Sequence, residues 1–572
     1  MNKDIKIFTL FSAFWIILCW IGFLLSLFDF FYNYIFLTYI ILGVATGLFL
    51  FFSKGYAKHI SKEFKIVIFL IALFSVFFSY FTSPTIFSGR DQGSISEAAI
   101  RLSQNNRLEF TTPASEEFFK IYGPGKALNF PGFHYSQEGT LITQFPLVYT
   151  SWLAIFYSIF GLLGLKIANS IAFSIFSISF YFIVKKLTTS SIAPWLSILF
   201  ITTSFCFSWF FKFTLTENLA LPLIFFGIFQ LAEFTSAKNI SKNKHNLVLS
   251  FLSLGLLIFT RIEGIAIFSM MIPVLLLIKP CRDFIFKNRF WTILSLLLLF
   301  LISILNLIKD INFFKEMGKA LLKTELSSTS QEINILIAFS LYGIIIFFIL
   351  GIVKITKLLV KKEYSKLIPL LIILPTFVYL LNPQISSDHP WMLRRFIFSI
   401  LPIFILYSIL LLDDLRNKKN AVLTNALVLL ILLTTIPAFS SFAIFSENKN
   451  LLQQTEELSS NFSSKDLVLV DQEATGDGWS MISGPMNFIL KKNSVYFFNI
   501  NDFSKIDRSK FERIFIITPE RNIKKYQESA LGEKLNFVKD YSITTTRLNS
   551  KSEVSIPKQE TILITGKIFE IK

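Results

Sequence analysis

Apolar runs of about 20 residues recur along the chain and are separated by short polar loops. Each run is long enough to cross roughly 30 Å of hydrocarbon as a helix. The first run, residues 5–28, is longer than a signal-peptide core and ends without a small-residue cleavage site, so it predicts a retained span. The pattern predicts a polytopic α-helical membrane protein.

Basic residues indicate how the runs are threaded through the membrane. Lysine and arginine cluster in short loops, and membrane proteins keep such clusters on the cytoplasmic side. The N-terminus and the loop 54–65 are therefore predicted to be cytoplasmic, and the polar interval 84–144 to lie outside. Two apolar runs follow, 145–160 and 167–184. If both crossed the membrane, the later basic clusters would lie outside.

A single net crossing by these two runs places all the later basic clusters inside. These clusters are 185–186, 238–244, 279–289, 354–362 and 416–419. We therefore expect one run to be re-entrant or interfacial, with 145–160 the preferred candidate, because a non-spanning segment is tolerated where protein buries it. About 13 spans result, with the C-terminus outside. Besides one of these two runs, they lie near 5–27, 32–53, 65–83, 191–211, 217–235, 246–260, 262–279, 290–308, 334–353, 366–382, 396–412 and 420–440.

The polar tail, residues 446–572, has a different pattern from the rest. Short β-branched and aromatic runs predict strands, at 466–470, 494–500, 514–518 and 561–569. Helices are predicted at 522–531 and 479–491. We therefore expect a transmembrane domain, 1–445, followed by a small extracytoplasmic α/β domain.

Composition adds two exclusions. The net charge of +17 would suit a nucleic-acid-binding protein, but the positive charges lie in loops between apolar runs. We therefore expect no nucleic-acid partner. Cys19, Cys206 and Cys281 lie in or beside apolar runs, without the spacing of a metal site or a disulfide framework.

The stretch from Phe87 to Asn106 opens the long outer interval. Arg90-Asp91 is followed by Ser94-Ile-Ser-Glu97, which predicts a capping box with Ser94 at the N-cap. Apolar residues then recur at helical spacing. We expect an amphipathic helix on the membrane surface, with the Asp91 carboxylate just before its positive end. The alternative is a polar loop that only anchors this helix.

Other ionisable residues are predicted on the same face as Asp91. They are Arg90, Glu217, Arg261, Glu263, Asp388, His389, Arg394 and Arg395. Charges at membrane depth usually face a cavity or a partner, so the set predicts one polar cavity. Arginine forks bind phosphate, and a carboxylate can accept a proton from an attacking hydroxyl. The structural alternatives are lipid-facing arginines, a paired turn and a helix-terminal acid.

The remainder of the outer interval is aromatic and rich in turns. Tyr122-Gly-Pro-Gly-Lys126 lacks the spacing of a phosphate-binding P-loop. Tyr122, His134 and Tyr135 are candidates for stacking on a sugar or acceptor, and Lys126 for reaching a phosphate. An ordinary ordered loop is the alternative for each of these residues.

Taken in order, these motifs resemble the GT-C superfamily of integral-membrane glycosyltransferases, especially the branch of protein O-mannosyltransferases and the lipid A aminoarabinose transferase. The resemblance covers roughly residues 80–412. Its motifs are Arg90-Asp91, Gln144-Phe-Pro-Leu-Val-Tyr149 leading to Ile159-Phe-Gly161, Leu215-Thr-Glu217, Thr260-Arg-Ile-Glu-Gly264, and Arg394-Arg395 followed by Pro402.

The resemblance implies a polyprenyl-phosphate sugar donor, inversion at the sugar carbon and a catalytic acid at Asp91. Many members carry an acidic pair at that position, whereas Gln92 follows here, so Glu217 is the candidate second acid. Because the loop has no Asp-x-Asp, we expect neither a metal nor another cofactor.

The leading hypothesis is a glycosyltransferase at the outer face of the cytoplasmic membrane. It would move a sugar from the lipid-linked donor to a glycan, lipid or protein acceptor. A flippase of lipid-linked glycans would instead show polar residues at the bilayer midplane and paired internal repeats. A non-catalytic scaffold would tolerate replacement of the outer-face charges.

Overall fold

Helices make up most of the chain. The computed structural model describes residues 3–53, 60–237, 240–309, 311, 334–383, 385, 389–417, 420–476, 481–549 and 554–572. The basic residues predicted to mark loops at Lys54, Lys58, Lys238, Lys418 and Lys419, and the candidate Asp388, lie outside these ranges.

The first fourteen helices run from the N-terminus to residue 309. They are α1 Lys3–Leu27, α2 Asn33–Ser53, α3 Lys62–Tyr80, α4 Asp91–Asn105, α5 Pro113–Tyr122, α6 Leu147–Phe160, α7 Leu162–Leu187, α8 Ala193–Thr203, α9 Phe205–Phe211, α10 Thr216–Thr235, α11 Lys244–Leu257, α12 Gly264–Leu277, α13 Lys279–Lys287 and α14 Arg289–Lys309.

The second group of helices begins at residue 335. They are α15 Ile335–Leu341, α16 Ile345–Val360, α17 Ile368–Ile373, α18 Val378–Leu381, α19 His389–Met392, α20 Arg394–Ile397, α21 Ile400–Asn417, α22 Ala421–Ala443, α23 Leu451–Ser459, α24 Ser483–Phe488 and α25 Ile523–Gln527.

Long apolar helices confirm a multi-pass membrane protein. In the described residues, seven helices are long and apolar enough to cross a bilayer, or up to eleven if each bent pair of helices is one span. The bent pairs include α8 with α9, at 57°, and α12 with α13, at 102°. The count of about 13 spans therefore stays a prediction.

The two apolar runs after the polar interval fold differently from each other. α7 has 26 residues and passes the length criterion, whereas α6 has 14 and is only about 21 Å long. α7 runs antiparallel to α3: Lys166 donates to Ser79 O at 3.0 Å, and Lys185 pairs with Glu63 at 2.6 Å. α6 is therefore the shorter element, and whether it is re-entrant or interfacial stays a prediction.

The predicted capping box is wrong. α4 begins at Asp91, with Arg90 as N-cap, so the helix starts four residues earlier than expected. Ser94 lies inside the helix, and its hydroxyl donates to Pro131 O at 3.0 Å. Gly93 allows this close packing, since a Cβ there would lie 1.7 Å from Phe87 O.

The prediction that α4 lies on a membrane surface is also wrong. Residues 92–103 are all buried, because α4 packs against α6 and also against α24 of the C-terminal region. α4 is thus an internal helix that joins the membrane helices to the chain's last part. Asp91 occupies its first turn.

A five-stranded sheet forms the C-terminal region. Its strands are β4 Leu467–Asp471, β5 Asn493–Phe497, β6 Ile514–Pro519, β7 Leu535–Asn549 and β8 Lys558–Ile571. The order is β5-β4-β6-β8-β7, with β5, β4 and β6 parallel and β8 antiparallel to its neighbours. The four predicted strands and the small α/β region are confirmed, while β7 was missed. The domain boundary at 445/446 stays a proposal.

The polar interval 84–144 is more ordered than a loop. It holds α5 and a three-stranded sheet of β1 Gly125–Lys126, β2 Phe133–Tyr135 and β3 Leu141–Thr143. Phe118 and Phe133 share one hydrophobic core with Val495 and Ile516 of the large sheet. The interval and the C-terminal region therefore pack against each other around a shared core.

Candidate active site

Four elements that are distant in sequence converge at one end of the helix bundle. Asp91 is the first residue of α4, and Glu217 is the second residue of α10. Arg261 and Glu263 occupy the turn between α11 and α12, and Arg394 begins α20. Each residue lies at a helix end or in the turn beside it, so its side chain can extend beyond the helix. We call these five residues the ion cluster.

Carboxylates and guanidinium groups alternate through the ion cluster. Arg394 Nη1 lies 2.5 Å from Asp91 Oδ2, and Arg394 Nε lies 3.9 Å from Glu217 Oε1. Arg261 Nη1 lies 2.7 Å from the same Glu217 oxygen. On its other side, Arg261 forks onto Glu263 through Nη2 at 3.0 Å and Nε at 3.1 Å. Charges this deep are tolerated because each faces an opposite charge.

The side chains of the ion cluster differ in their solvent exposure. The Glu217 side chain is 4% exposed and Arg261 is 13% exposed, whereas the Asp91 side chain is 42% exposed. The accessible carboxylate is therefore Asp91, and Glu217 is enclosed between two arginines. Only the Asp91 end can meet a substrate without rearrangement of the cluster.

Aromatic rings support the arginines. The Arg261 guanidinium lies 4.3 Å from the Phe398 ring centroid. Arg394 and Arg90 lie 5.2 Å and 4.8 Å from the Trp391 ring. Such cation–π contacts strengthen where water is excluded, so Trp391 holds two cations next to Asp91.

The Arg261 charge is secured by its carboxylate partners. Burial by itself lowers the pKa of the guanidinium, but Glu217 and Glu263 outweigh burial and raise the pKa above its ordinary value. Tyr379 adds a hydroxyl that donates to Glu263. Arg261 therefore carries a permanent charge that neutralises the buried carboxylates.

The structure brings together most of the residues predicted to bind the donor. Arg90 stands beside the ion cluster on Trp391, and Arg395 donates to Pro383 O at 3.4 Å. His389 begins α19, and its side chain lies outside the described part of the structure. The proposed active site therefore consists of the five residues of the ion cluster, with Arg90 and Arg395 nearby.

The predicted sugar-contacting residues are not brought to the ion cluster. Tyr135 is 1% exposed, and its hydroxyl donates to Ser115 O at 2.9 Å. His134 is buried in β2, and the Tyr122 hydroxyl donates to Asp502 of the C-terminal region. Lys126 is exposed on the edge strand β1. Tyr135 and His134 are thus buried inside the protein, and Tyr122 contacts the C-terminal region.

Three site residues escaped prediction. Tyr379 and Phe398 belong to apolar runs, where nothing local distinguishes a site residue from a lipid-facing one. Trp391 stands three residues before Arg394, and tryptophan beside arginine could have indicated a cation–π contact. Within the described residues, no group of three His, Cys, Asp or Glu side chains could hold a metal ion.

A second buried ion pair ties α4 to the C-terminal region. Glu97 lies 3.6 Å from Arg101 and accepts from Ser88 Oγ at 3.3 Å. Arg101 in turn donates to Asn487 of α24. Burial raises the pKa of Glu97 to about 7, against the opposing effects of Arg101 and Ser88.

The raised pKa of Glu97 predicts a pH-dependent stability. The folded protein holds a proton there that the unfolded chain releases near pH 4.5, so stability should fall as pH rises from about 4.5 to about 7. Glu97→Gln lacks this titration. Relative to the variant, the wild type should lose at most about 3 kcal/mol across that window. Thermal unfolding of both proteins at pH 5 and pH 8 checks this, and an unchanged difference between them would contradict it.

The fold of the chain was compared with those of known proteins. No family model and no curated protein sequence matches the chain. The apo crystal structure of ArnT from Cupriavidus metallidurans matches with a TM-score of 0.50 at 10% identity, covering 88% of this chain and 98% of that one. The structure of that ArnT bound to undecaprenyl phosphate matches with the same coverages at 11% identity and a TM-score of 0.48. The chain therefore shares the overall fold of that ArnT.

Proposed function

We propose that the protein is a glycosyltransferase that moves a sugar from a polyprenyl-phosphate donor to a hydroxyl acceptor. The observation that carries the proposal is the accessible Asp91 carboxylate, fixed by Arg394 at the end of the helix bundle. The ArnT-like fold supports it, since that fold belongs to lipid-linked sugar transferases. The loop charges favour the outer face of the cytoplasmic membrane, with the N-terminus inside and the C-terminal region outside.

In this proposal Asp91 is the general base. Arg394 holds Oδ2 at 2.5 Å, which leaves Oδ1 to accept the proton of the acceptor hydroxyl. The acceptor oxygen attacks the sugar carbon from the side opposite the lipid phosphate, and the bond from that carbon to the phosphate oxygen breaks. The sugar configuration is inverted, and the polyprenyl phosphate leaves with the bonding electron pair.

The arginines stabilise the charge that appears on the departing phosphate. Arg394 and Arg90 both lie against the Trp391 ring, and a guanidinium fork matches a phosphate with two parallel hydrogen bonds. Arg261, with Arg395 as a further candidate, supplies positive potential from behind. Glu217 lies between Arg394 and Arg261, so its proposed part is to hold both guanidinium groups in place.

Reconstitution tests the proposal. The purified protein in liposomes should consume extracted polyprenyl-phosphate sugars and release polyprenyl phosphate when membrane lipids, surface glycans or proteins are added as acceptors. A flippase would move the donor between leaflets without consuming it. Translocation without sugar transfer, or no donor turnover with any acceptor fraction, would contradict the glycosyltransferase assignment.

A further inference from the structure

A cavity of about 200 Å³ lies beside the α9–α10 turn, and no residue of the ion cluster lines it. Water occupies about 30 Å³ per molecule in the liquid, so the cavity has room for roughly six waters or for a phosphate group. Thr214 lines it, and the Thr214 hydroxyl donates to Gln92 O, next to Asp91. The cavity therefore stands behind the first turn of α4 and is separate from the paired carboxylates.

Positive charge dominates the lining of this cavity. Lys166 and Lys212 both line it, and none of its lining residues is Asp or Glu. Lys212 donates to three backbone carbonyl oxygens, those of Phe442, Ala443 and Phe445, at 2.8, 2.8 and 2.7 Å. In the described part of the chain, no carboxylate lies within ion-pairing distance of either ammonium group. The bonds satisfy the Lys212 donors without neutralising its charge.

The Lys166 ammonium has donor capacity left over. It makes one hydrogen bond in the described structure, to Ser79 O at 3.0 Å, although an ammonium has three donors. The N-terminus of α7, a helix of 26 residues, lines the cavity through Leu162, Leu163 and Leu165. The positive end of a helix favours an anion, and burial lowers the pKa of Lys212 to about 7, so an anion would also stabilise its charged form.

The position of the cavity indicates where such an anion comes from. It lies where α3 ends and α7 begins, and both are candidate membrane spans. Helix ends of this kind stand at the level of the lipid headgroups. Beside the cavity, Leu163 is 58% exposed, and Val76 and Tyr80 of α3 are 69% and 81% exposed. This apolar surface is suited to acyl chains that descend from a headgroup in the cavity.

We propose that this cavity is a headgroup site for an anionic membrane lipid, whose phosphate is bound by Lys166 beside Lys212 and the N-terminus of α7. The lipid chains lie against the exposed apolar side chains of α3 and α7. The site is additional to the proposed donor site, because no residue of the ion cluster lines the cavity. Its place behind α4 makes a bound lipid a support for the first turn that carries Asp91.

Lipid binding without any sugar donor tests the site independently of transfer. The purified wild type, Lys166→Gln and Lys166→Arg are titrated with phosphatidylglycerol in an uncharged detergent, and bound lipid is counted by native mass spectrometry. Lys166→Gln should bind its most tightly held lipid about fivefold more weakly, the factor expected for one basic residue at a membrane surface. Lys166→Arg should retain the lipid, because it keeps the charge.

Controls separate this site from general attraction and from misfolding. Lys185→Gln removes one charge from the other end of the same helix and should bind phosphatidylglycerol like the wild type. Each variant should unfold at the wild-type temperature in lipid-free detergent. Equal lipid binding by wild type and Lys166→Gln would overturn the proposal. Stabilisation of the wild type by inorganic phosphate but not by phosphatidylglycerol would also overturn it, since the occupant would then be a free phosphate.

Discussion

Asp91→Asn should abolish sugar transfer while the protein still inserts and folds. The amide has the shape of the carboxylate and keeps an oxygen for Arg394, which lies 2.5 Å from Asp91 in the wild type. It cannot accept a proton from the acceptor hydroxyl. Loss of a positioned general base typically lowers the rate about 10²- to 10⁴-fold. Initial rates of polyprenyl phosphate release in liposomes measure the effect.

The matched control for this variant is Glu138→Gln. Glu138 is an exposed acid in the same polar interval, so its replacement changes the charge of the region equally and should leave the rate unchanged. Size-exclusion profiles and unfolding temperatures establish that both variants are folded. Wild-type rates in folded Asp91→Asn would remove Asp91 as the base and leave Glu217 as the remaining candidate.

Arg261→Met should produce the largest loss of stability. Arg261 is the partner of two buried carboxylates, Glu217 at 2.7 Å and Glu263 at 3.0 Å. Methionine fills similar space but leaves both negative charges in a site with little water. Removing one member of a buried ion pair costs about 3–5 kcal/mol. Unfolding in denaturant, followed by tryptophan fluorescence, should show a loss in this range.

Further variants establish that stranded charge is the cause. Adding Glu217→Gln and Glu263→Gln to Arg261→Met should restore much of the stability, because neutral amides cost less to bury than unpaired carboxylates. Arg521→Met removes an arginine that is 53% exposed and paired with Glu473, and should cost less than about 1 kcal/mol. If the triple variant were no more stable than Arg261→Met, lost packing rather than charge would explain the effect.

The sequence predicted best those elements whose structure depends on neighbouring residues. The strands β4, β5 and β6 are short runs of β-branched and aromatic residues, buried on the sheet, and their local pattern predicts them well. β7 was missed because most of its first half is exposed and shows no regular alternation of apolar and polar residues, and the strand pairs with β8 along its length. The Ser94 capping box was wrong because the helix already begins at Asp91, and Gly93 lets its first turn pack tightly against the Phe87 backbone.

Membrane class and the order of the apolar runs are local properties of this chain, since run length and loop charge need no knowledge of packing. The same patterns singled out Asp91, Glu217, Arg261, Glu263 and Arg394, which the structure brings together, while their roles stay predictions. They could not show that these charges form one alternating chain, that Glu217 is enclosed while Asp91 is accessible, or that the Tyr122 and Tyr135 hydroxyls donate to Asp502 and to Ser115 O. Those outcomes depend on which helix ends meet in space, and contacts between residues 91, 217, 261 and 394 exist only after the helices have packed.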